Sequence, residues 1–239
     1  MRVSTSSRYR PSVAVALHDV DPWVRGVYLV PDAVRILRLP AGSLRTWVGG
    51  RHHEDTTRFP AGPMESEGCG RDRHFGFLTL VELYTVAQLR ERGVTMTAIR
   101  DARDELAIRF KTDHPFALGG LLCSGKQLLK ELGDGVLLEL GAKGQTAFEK
   151  IVEPFCARLD FDDATTLARR FHPLGKEVPV VVDPRHAFGR PVIEGTNVTT
   201  EAIMSLVRGG ETVEVIADSL AISLEAVKAA TAFQLRNAA

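Results

Sequence analysis

Residues 188–237 constrain the fold of this chain more than any other stretch, because a tight turn is followed there by three capped, amphipathic segments. Gly189, Pro191 and Gly195 predict a tight, extended turn. A residue with a side-chain hydroxyl then precedes each segment, in the position that favours a helix N-cap. The predicted caps are Thr199 or Thr200, Thr212 and Ser223. We therefore expect a C-terminal domain of three helices with a helix-turn-helix shape, which can read DNA or simply pack helices together.

Residues 189–196 read Gly-Arg-Pro-Val-Ile-Glu-Gly-Thr. This run resembles the signature Gly-Xaa-Pro-Xaa-Ile-Xaa-Gly-Thr-Arg-Ile/Val of a family of small bacterial proteins. Asn197 departs from the signature's Arg, and Ala221 stands where a proline often precedes the last helix. Many members of this family are taken to be antitoxins, encoded beside a PIN-like ribonuclease toxin. The resemblance therefore implies an antitoxin whose C-terminal domain has three helices.

The charge of the chain is unevenly distributed. The whole sequence has 30 basic and 30 acidic residues and a net charge of zero. Residues 1–52 carry eight arginines and three aspartates, a net of +5, whereas residues 194–239 carry six acidic and three basic side chains, a net of −3. A polyanion such as DNA is therefore expected to meet the N-terminal end rather than the C-terminal one.

The three cysteines, Cys69, Cys123 and Cys156, lie far apart in the sequence and form no Cys-Xaa-Xaa-Cys pair. This pattern predicts buried or free thiols in a reducing cytosol. No run of about 18 apolar residues is present, so we expect no membrane-spanning helix. The apolar run near the N-terminus is broken, which argues against a secretory signal. The sequence thus predicts a cytoplasmic protein.

The N-terminal region predicts a flexible arm at residues 1–26 and a winged helix-turn-helix at residues 27–112. Apolar residues recur at helical spacing from Val30 to Leu37, and a second helix is expected to begin at Ser43 after a Pro-Gly turn. The apolar side of that second helix faces inward, which leaves Ser43, Arg45 and Thr46 outward. Such a face suits docking in the major groove, where arginine contacts guanine or phosphate and hydroxyls contact either.

Residues 51–77 are polar, rich in glycine and contain proline, which predicts a flexible hairpin or wing. Arg51, Arg58, Arg71 and Arg73 complete the predicted DNA-binding set. The order of elements resembles the DNA-binding domain of MerR-type regulators. The likeness rests on residues 28–34 leading to Leu44-Arg45-Xaa-Trp47, on the wing, and on residues 78–100. MerR regulators continue into a long dimerising helix, whereas Pro115 is expected to stop helix growth here.

Residues 113–187 predict a small α/β middle module with antiparallel strands. The runs 127–132 and 136–140 flank Gly133-Asp134-Gly135, which is typical of a β-hairpin. Residues 146–157 predict a helix, and residues 167–171 and 178–182 predict strands, the second of them a core strand rich in valine. With the C-terminal domain at residues 188–239, the sequence predicts an α+β chain.

Two clusters of potential metal ligands carry the alternative of an enzyme. The run His-His-Glu-Asp at residues 52–55, with Cys69, matches no zinc-binding spacing. Asp160, Asp162 and Asp163 precede two threonines and favour a turn over a divalent-cation site. We therefore expect a protein without catalytic activity, metal or cofactor.

The resemblances together imply a VapB-like antitoxin that neutralises a cognate PIN-type ribonuclease toxin and represses its own operon as a homodimer. The basic N-terminal domain is expected to bind operator DNA, and the acidic C-terminal part is expected to bind the toxin or the second subunit. The candidate partner-binding residues are Arg190, Arg208, Glu214, Asp218 and Arg236. The alternative is a MerR-like transcriptional regulator that responds to a small ligand through its middle module.

Overall fold

The computed structural model describes residues 26–48, 64, 66–68 and 70–236. These residues form ten α-helices and two antiparallel sheets, of two and four strands. The predicted α+β class is confirmed. The predicted arm at residues 1–26 lies almost wholly outside the described residues, as do Arg51, Arg58 and the tip of the predicted wing. Among the described residues, no helix is long and apolar enough to cross a membrane.

The first helix-turn-helix consists of α1 (Val30–Leu37) and α2 (Ala41–Trp47). Pro31 lies in the first turn of α1, where its fixed φ suits the helix and its missing N–H costs nothing. The Asp32 carboxylate accepts a hydrogen bond from the backbone nitrogen of Leu29 at 2.9 Å. Arg38 then ends α1 in the left-handed conformation. The predicted pair of helices is confirmed, although α2 begins two residues before Ser43.

A two-stranded sheet closes this region. β1 (Tyr28–Leu29) pairs antiparallel with β2 (His74–Phe75), and Glu67 bridges to His74. The described part of the predicted wing therefore returns to the strand that precedes α1.

Two longer helices contribute side chains to the same hydrophobic core as the helix-turn-helix. α3 (Phe77–Glu91) and α4 (Met96–Phe110) are followed by a 3-10 turn at Pro115–Ala117. The Glu82 carboxylate of α3 is fully buried and lies 3.0 Å from His114 Nδ1. It accepts hydrogen bonds from the Arg103 guanidinium of α4 and from the backbone nitrogen of Phe116, both at 3.2 Å. This buried ion cluster joins α3, α4 and the turn.

The predicted hairpin at residues 127–140 is wrong. The structure has α5 (Gly119–Leu122), α6 (Gly125–Glu131) and α7 (Gly133–Cys156) in its place. Four buried residues recur at intervals of four, which fits one face of a helix and not the alternation of a strand: Leu128, Leu132, Val136 and Leu140. Gly133 adopts a φ of +80° at the junction between α6 and α7. The glycines that suggested a hairpin turn therefore mark a break between two helices.

The prediction of free or buried thiols is wrong for two of the three cysteines. A disulfide joins Cys123 to Cys156, whose Cα atoms are 5.2 Å apart and whose positions differ by 33 residues. Cys123 follows α5 and Cys156 ends α7. Packing of the two helices brings the cysteines together, and sequence spacing carried no sign of it. Cys69 lies outside the described residues.

The four-stranded sheet has the antiparallel order β3-β4-β5-β6. Its strands are Leu159–Phe161, Ala168–Phe171, Val180–Val182 and Pro191–Ile193. The strands predicted at residues 167–171 and 178–182, and the helix predicted at 146–157, are confirmed. All three residues of β5 are buried, as expected for a core strand.

Three capped helices end the chain, and we call them the three-helix unit: α8 (Thr200–Arg208), α9 (Val213–Leu220) and α10 (Leu224–Leu235). The side chains of Thr199, Thr212 and Ser223 each accept a hydrogen bond from a backbone nitrogen three residues later. Each cap therefore satisfies a donor that the helix leaves unpaired. The predicted caps and the predicted three helices are confirmed.

The turn before β6 packs on the N-terminal strand. Gly189 has a φ of +83°, and a Cβ atom there would lie 2.1 Å from the Tyr28 hydroxyl oxygen. The Val27 backbone nitrogen donates a hydrogen bond to the Phe188 carbonyl at 3.2 Å. The first glycine of the signature is thus required by close contact with β1 as well as by its backbone conformation.

Two hydrophobic cores organise the described residues. The larger core takes its side chains from Tyr28 through Val182, so the N-terminal and middle segments share one interior. The smaller core combines Val180 and Ile193 of the sheet with the inward faces of the three-helix unit. β5 and β6 lie on either side of the predicted domain boundary at residue 188, and they pair with each other. The three domain boundaries from the sequence remain predictions.

Candidate nucleic-acid interface and partner surface

The outward side of α2 carries the first three residues of the predicted DNA-binding set. Arg45 and Thr46 are exposed, and Ser43 is half-buried. The Thr46 hydroxyl donates a hydrogen bond to the Gly42 carbonyl at 3.0 Å, which leaves its oxygen lone pairs available to an outside donor. The apolar side of the helix lies in the larger core. The structure therefore brings these side chains to one helix, with a polar face outward.

The predicted arginines of the wing are placed differently from one another. Arg73 is half-buried and donates a hydrogen bond from Nη1 to the Val48 carbonyl at 2.5 Å, so it holds the approach to β2 against the end of α2. Arg71 is exposed in the 3-10 turn Gly70–Asp72. Arg51 and Arg58 lie outside the described residues. DNA contact by any of these side chains remains a prediction.

The outward side of α9 is acidic with an apolar centre. Glu214 and Asp218 are exposed and lie four residues apart, on one face of the helix. Val215, between them in sequence, is 50% exposed. The predicted partner residues Arg208, at the end of α8, and Arg190, just before β6, are also exposed. This surface can attract a basic partner and repels a phosphate backbone.

Arg236, the last predicted partner residue, lies at the junction of the two cores. Its backbone carbonyl accepts a hydrogen bond from Arg38 Nη2 at 3.4 Å, across 198 positions of sequence. Partial burial, followed by the positive charges of Arg38 and Arg158, lowers the pKa of the Arg236 guanidinium from its ordinary value. Three arginines from distant parts of the chain are therefore close enough to interact.

Two of the aspartates that were candidates for a metal site form hydrogen bonds with nearby residues instead. The Asp162 carboxylate accepts hydrogen bonds from the backbone nitrogens of Ala164 and Thr165, and the bonds from Thr165 lower its pKa. Asp160 lies 3.0 Å from His172 Nε2 and accepts a hydrogen bond from Lys176. Burial acts to raise the pKa of Asp160, but these two partners lower it. The predicted turn is confirmed after Asp162, whereas Asp160 lies in β3.

No group of three or more His, Cys, Asp or Glu side chains is placed to hold a metal ion within the described ranges. The predicted absence of a metal and of enzymatic activity remains a prediction. The cluster at residues 52–55 and Cys69 lies outside those ranges.

Sequence reasoning missed two groups of charged residues. Glu82 stands in the run Leu80-Val81-Glu82-Leu83, where a lone carboxylate among apolar residues is a sign of burial, but its partners Arg103 and His114 could not be read from that run. Arg38 and Arg158 carried no sign at all, because each follows a helix end like many surface arginines. Only the fold brings them to Arg236.

The C-terminal stretch matches a described protein family. Residues 180–233 match DUF433, whose description is "Protein of unknown function". The match begins at β5 and ends in α10, so it includes β6 as well as the three-helix unit.

Two proteins of Mycobacterium tuberculosis (strain ATCC 25618 / H37Rv) are similar to most of the chain. One is named "Putative antitoxin VapB45" and is 27% identical over 218 residues, which are 82% of this chain and 89% of that protein. The other is named "Uncharacterized protein Rv2308" and is 26% identical over 222 residues, or 85% and 88% of the two chains. Each likeness therefore extends over more than four fifths of this chain.

A solved structure has a similar fold. The X-ray crystal structure of Rv2018 from Mycobacterium tuberculosis matches with a TM-score of 0.63 and 22% sequence identity, over 85% of this chain and 96% of that chain. At this identity the likeness shows the fold alone.

Proposed function

We propose that this protein is an antitoxin that binds and neutralises a toxin protein and represses its own operon. The observation that carries the proposal is the similarity to the protein named as antitoxin VapB45, which extends over 82% of this chain. We further propose that the protein acts in the cytoplasm and has no catalytic activity.

In this proposal α2 reads the operator. Arg45 and Thr46 are exposed on a helix that follows a short turn, and the apolar side of the helix is fixed in the larger core. Arg45 can contact a guanine or a phosphate, while Ser43, Thr46 and the arginines of the wing contact the backbone or neighbouring bases. A homodimer places two such helices on two half-sites of the operator. The net charge of +5 in residues 1–52 favours this end for DNA.

The three-helix unit binds the toxin in this proposal. Its five exposed acidic side chains repel DNA and attract a basic surface: Glu201, Glu211, Glu214, Asp218 and Glu225. The exposed Val215 supplies an apolar centre between Glu214 and Asp218. We propose a PIN-domain ribonuclease as the toxin, with Arg190 and Arg208 available to its acidic groups. If toxin binding favours the dimer that binds DNA, bound toxin raises the affinity for DNA by the same factor by which bound DNA raises the affinity for toxin.

Co-expression with the product of the adjacent reading frame tests the proposal. We expect the neighbour to arrest growth when expressed alone, and to be harmless and to co-purify when expressed with this chain. The Glu214→Lys, Asp218→Lys variant should rescue growth less well, because it reverses the charge of the acidic surface of α9. A neighbour that is harmless alone and does not co-purify with the chain refutes the antitoxin function.

A further inference from the structure

A small cavity lies at the junction of the two cores, and four aromatic rings form part of its wall. Tyr84 of α3 stacks on Phe155 of α7 with ring centroids 3.8 Å apart, and Phe155 meets Phe171 of β4 at 5.4 Å. Phe233 of α10 contributes from the three-helix unit. The wall is therefore built by both cores, and its shape depends on how they pack against each other.

Three arginines line the same cavity, each from a different part of the chain: Arg38 after α1, Arg158 after α7 and Arg236 after α10. All three are exposed to solvent. Among the residues that the structure describes, none of these guanidinium groups has a carboxylate within 4.0 Å, whereas Arg35, one turn before Arg38, pairs with Asp32 at 2.5 Å. The cavity thus concentrates three positive charges without a counter-charge in the described chain.

The helix ends offset only part of this charge. Each arginine lies beside the C-terminus of a helix, which carries roughly half a negative elementary charge. Three helix ends therefore offset about half of three positive charges. Burial and the charges of Arg38 and Arg158 lower the pKa of Arg236, which is the electrostatic consequence of the crowding. An anion in the cavity would relieve the repulsion that remains.

The size and chemistry of the cavity select the anion. Its volume is about 60 Å³, and a single water needs roughly 10–15 Å³. The space therefore suits about four to six heavy atoms, the size of a phosphate ion or of a small carboxylate such as acetate. Guanidinium groups bind both oxyanions through paired N–H donors.

We propose that Arg38, Arg158 and Arg236 form a binding site for the phosphate or carboxylate group of a small molecule. Arg38 and Arg158 belong to the larger core and Arg236 follows the three-helix unit, so a bound oxyanion links the two. The ligand fixes the orientation of the acidic three-helix unit relative to the basic helix-turn-helix. This inference is independent of the toxin and of DNA binding.

Isothermal titration calorimetry on the full chain tests the site, with inorganic phosphate and acetate as probes and sodium chloride at equal ionic strength as the reference. We expect saturable binding of at least one probe, and the tighter probe identifies the head group. Arg38→Gln and Arg158→Gln should each weaken that binding about tenfold or more, because each removes a charge-assisted hydrogen bond. Lys228→Gln, at an exposed residue of α10 that does not line the cavity, should leave the affinity unchanged.

Circular dichroism establishes that each variant is folded. Arg38 follows α1 and Arg158 follows α7, so the two variants measure the loss of probe affinity independently of each other. The proposal fails if neither probe binds the wild-type chain, or if both variants bind as tightly as the wild type does. It also fails if duplex DNA from upstream of the gene displaces the probe and Arg158→Gln weakens DNA binding to the same extent. In that case the arginines contact a DNA backbone rather than a small molecule.

Discussion

The chain contains two helix-turn-helix shapes that differ in charge and support. The α1–α2 segment rests on the larger core and turns Arg45 outward, whereas α9 of the three-helix unit turns Glu214 and Asp218 outward. Both have a short connection between amphipathic helices, so the shape alone does not decide which of them binds DNA. The sign of the exposed charge separates them, because a phosphate backbone is attracted to the first and repelled by the second.

The two shapes also differ in what stabilises them. The larger core contains the buried cluster of Glu82, Arg103 and His114, while the smaller core is built mainly of aliphatic side chains with Phe233. A change at Glu82 should therefore act on the basic segment through its support and leave the three-helix unit comparatively intact.

The largest expected effect is the loss of stability in Glu82→Gln. Removal of this charge breaks the buried ion pair between Glu82 and Arg103, which costs about 3–5 kcal/mol. The free energy of unfolding is measured by urea denaturation, with hydrogen exchange to separate the two cores. Glu91→Gln, on the exposed end of the same helix, should change the free energy of unfolding by less than about 0.5 kcal/mol. Equal losses in the two variants would mean that the buried cluster does not support the larger core.

Glu82 also gives the wild-type protein a pH dependence. Burial acts to raise the pKa of Glu82, but Arg103 and His114 hold it below its ordinary value of 4.5. A carboxylate with a lowered pKa contributes stability above that ordinary value and loses it as the pH falls through the folded pKa. The free energy of unfolding should therefore fall below about pH 4.5, and fall less steeply in Glu82→Gln. Identical slopes in both proteins would contradict this.

A smaller effect is expected from Arg45→Ala on DNA binding. Loss of one arginine contact to a base should cost about 1–3 kcal/mol, which is roughly a 5-fold to 160-fold weaker affinity. Gel shifts with DNA from upstream of the gene, at several salt concentrations, measure this. Arg208→Ala in the three-helix unit is the matched control and should bind DNA as the wild type does. If Arg45→Ala binds normally at every salt concentration, α2 is not the recognition helix.

Reversal of the acidic surface should have a smaller effect on partner binding. Glu214→Lys with Asp218→Lys should weaken toxin binding about tenfold, mainly through slower association, because exposed charges steer the encounter. Surface plasmon resonance with the purified neighbour measures the association rate. Glu105→Lys, an exposed change on α4, should leave it unchanged. A reversed α9 that still associates at the wild-type rate would remove the reason for assigning this surface to a partner.

Local rules predicted the three-helix unit well, since a cap and its helix lie within a few residues of each other. Thr212 and the apolar residues that follow it specify the start and the buried face of α9 without help from the rest of the chain. The same rules failed at residues 127–140. There the glycine run favoured a hairpin, although the spacing of Leu128, Leu132 and Val136 already fits a helix.

Contacts between distant residues could not be predicted. The disulfide of Cys123 with Cys156 and the meeting of Arg38 with Arg236 depend on the packing of helices that the sequence does not orient. For the candidate DNA interface, the outward direction of Arg45 followed from the helical period. The anchoring of Arg73 on the Val48 carbonyl did not, because it joins two segments separated by a loop.

Hydrogen–deuterium exchange of the full chain, with and without DNA from upstream of its gene, tests the assignment of the two helix-turn-helix shapes most directly. The account predicts that DNA slows exchange in α2 and in the approach to β2, and leaves exchange in α9 unchanged. DNA protection of α9 or α10 with none in α2 would contradict it, and would make the acidic three-helix unit the DNA reader.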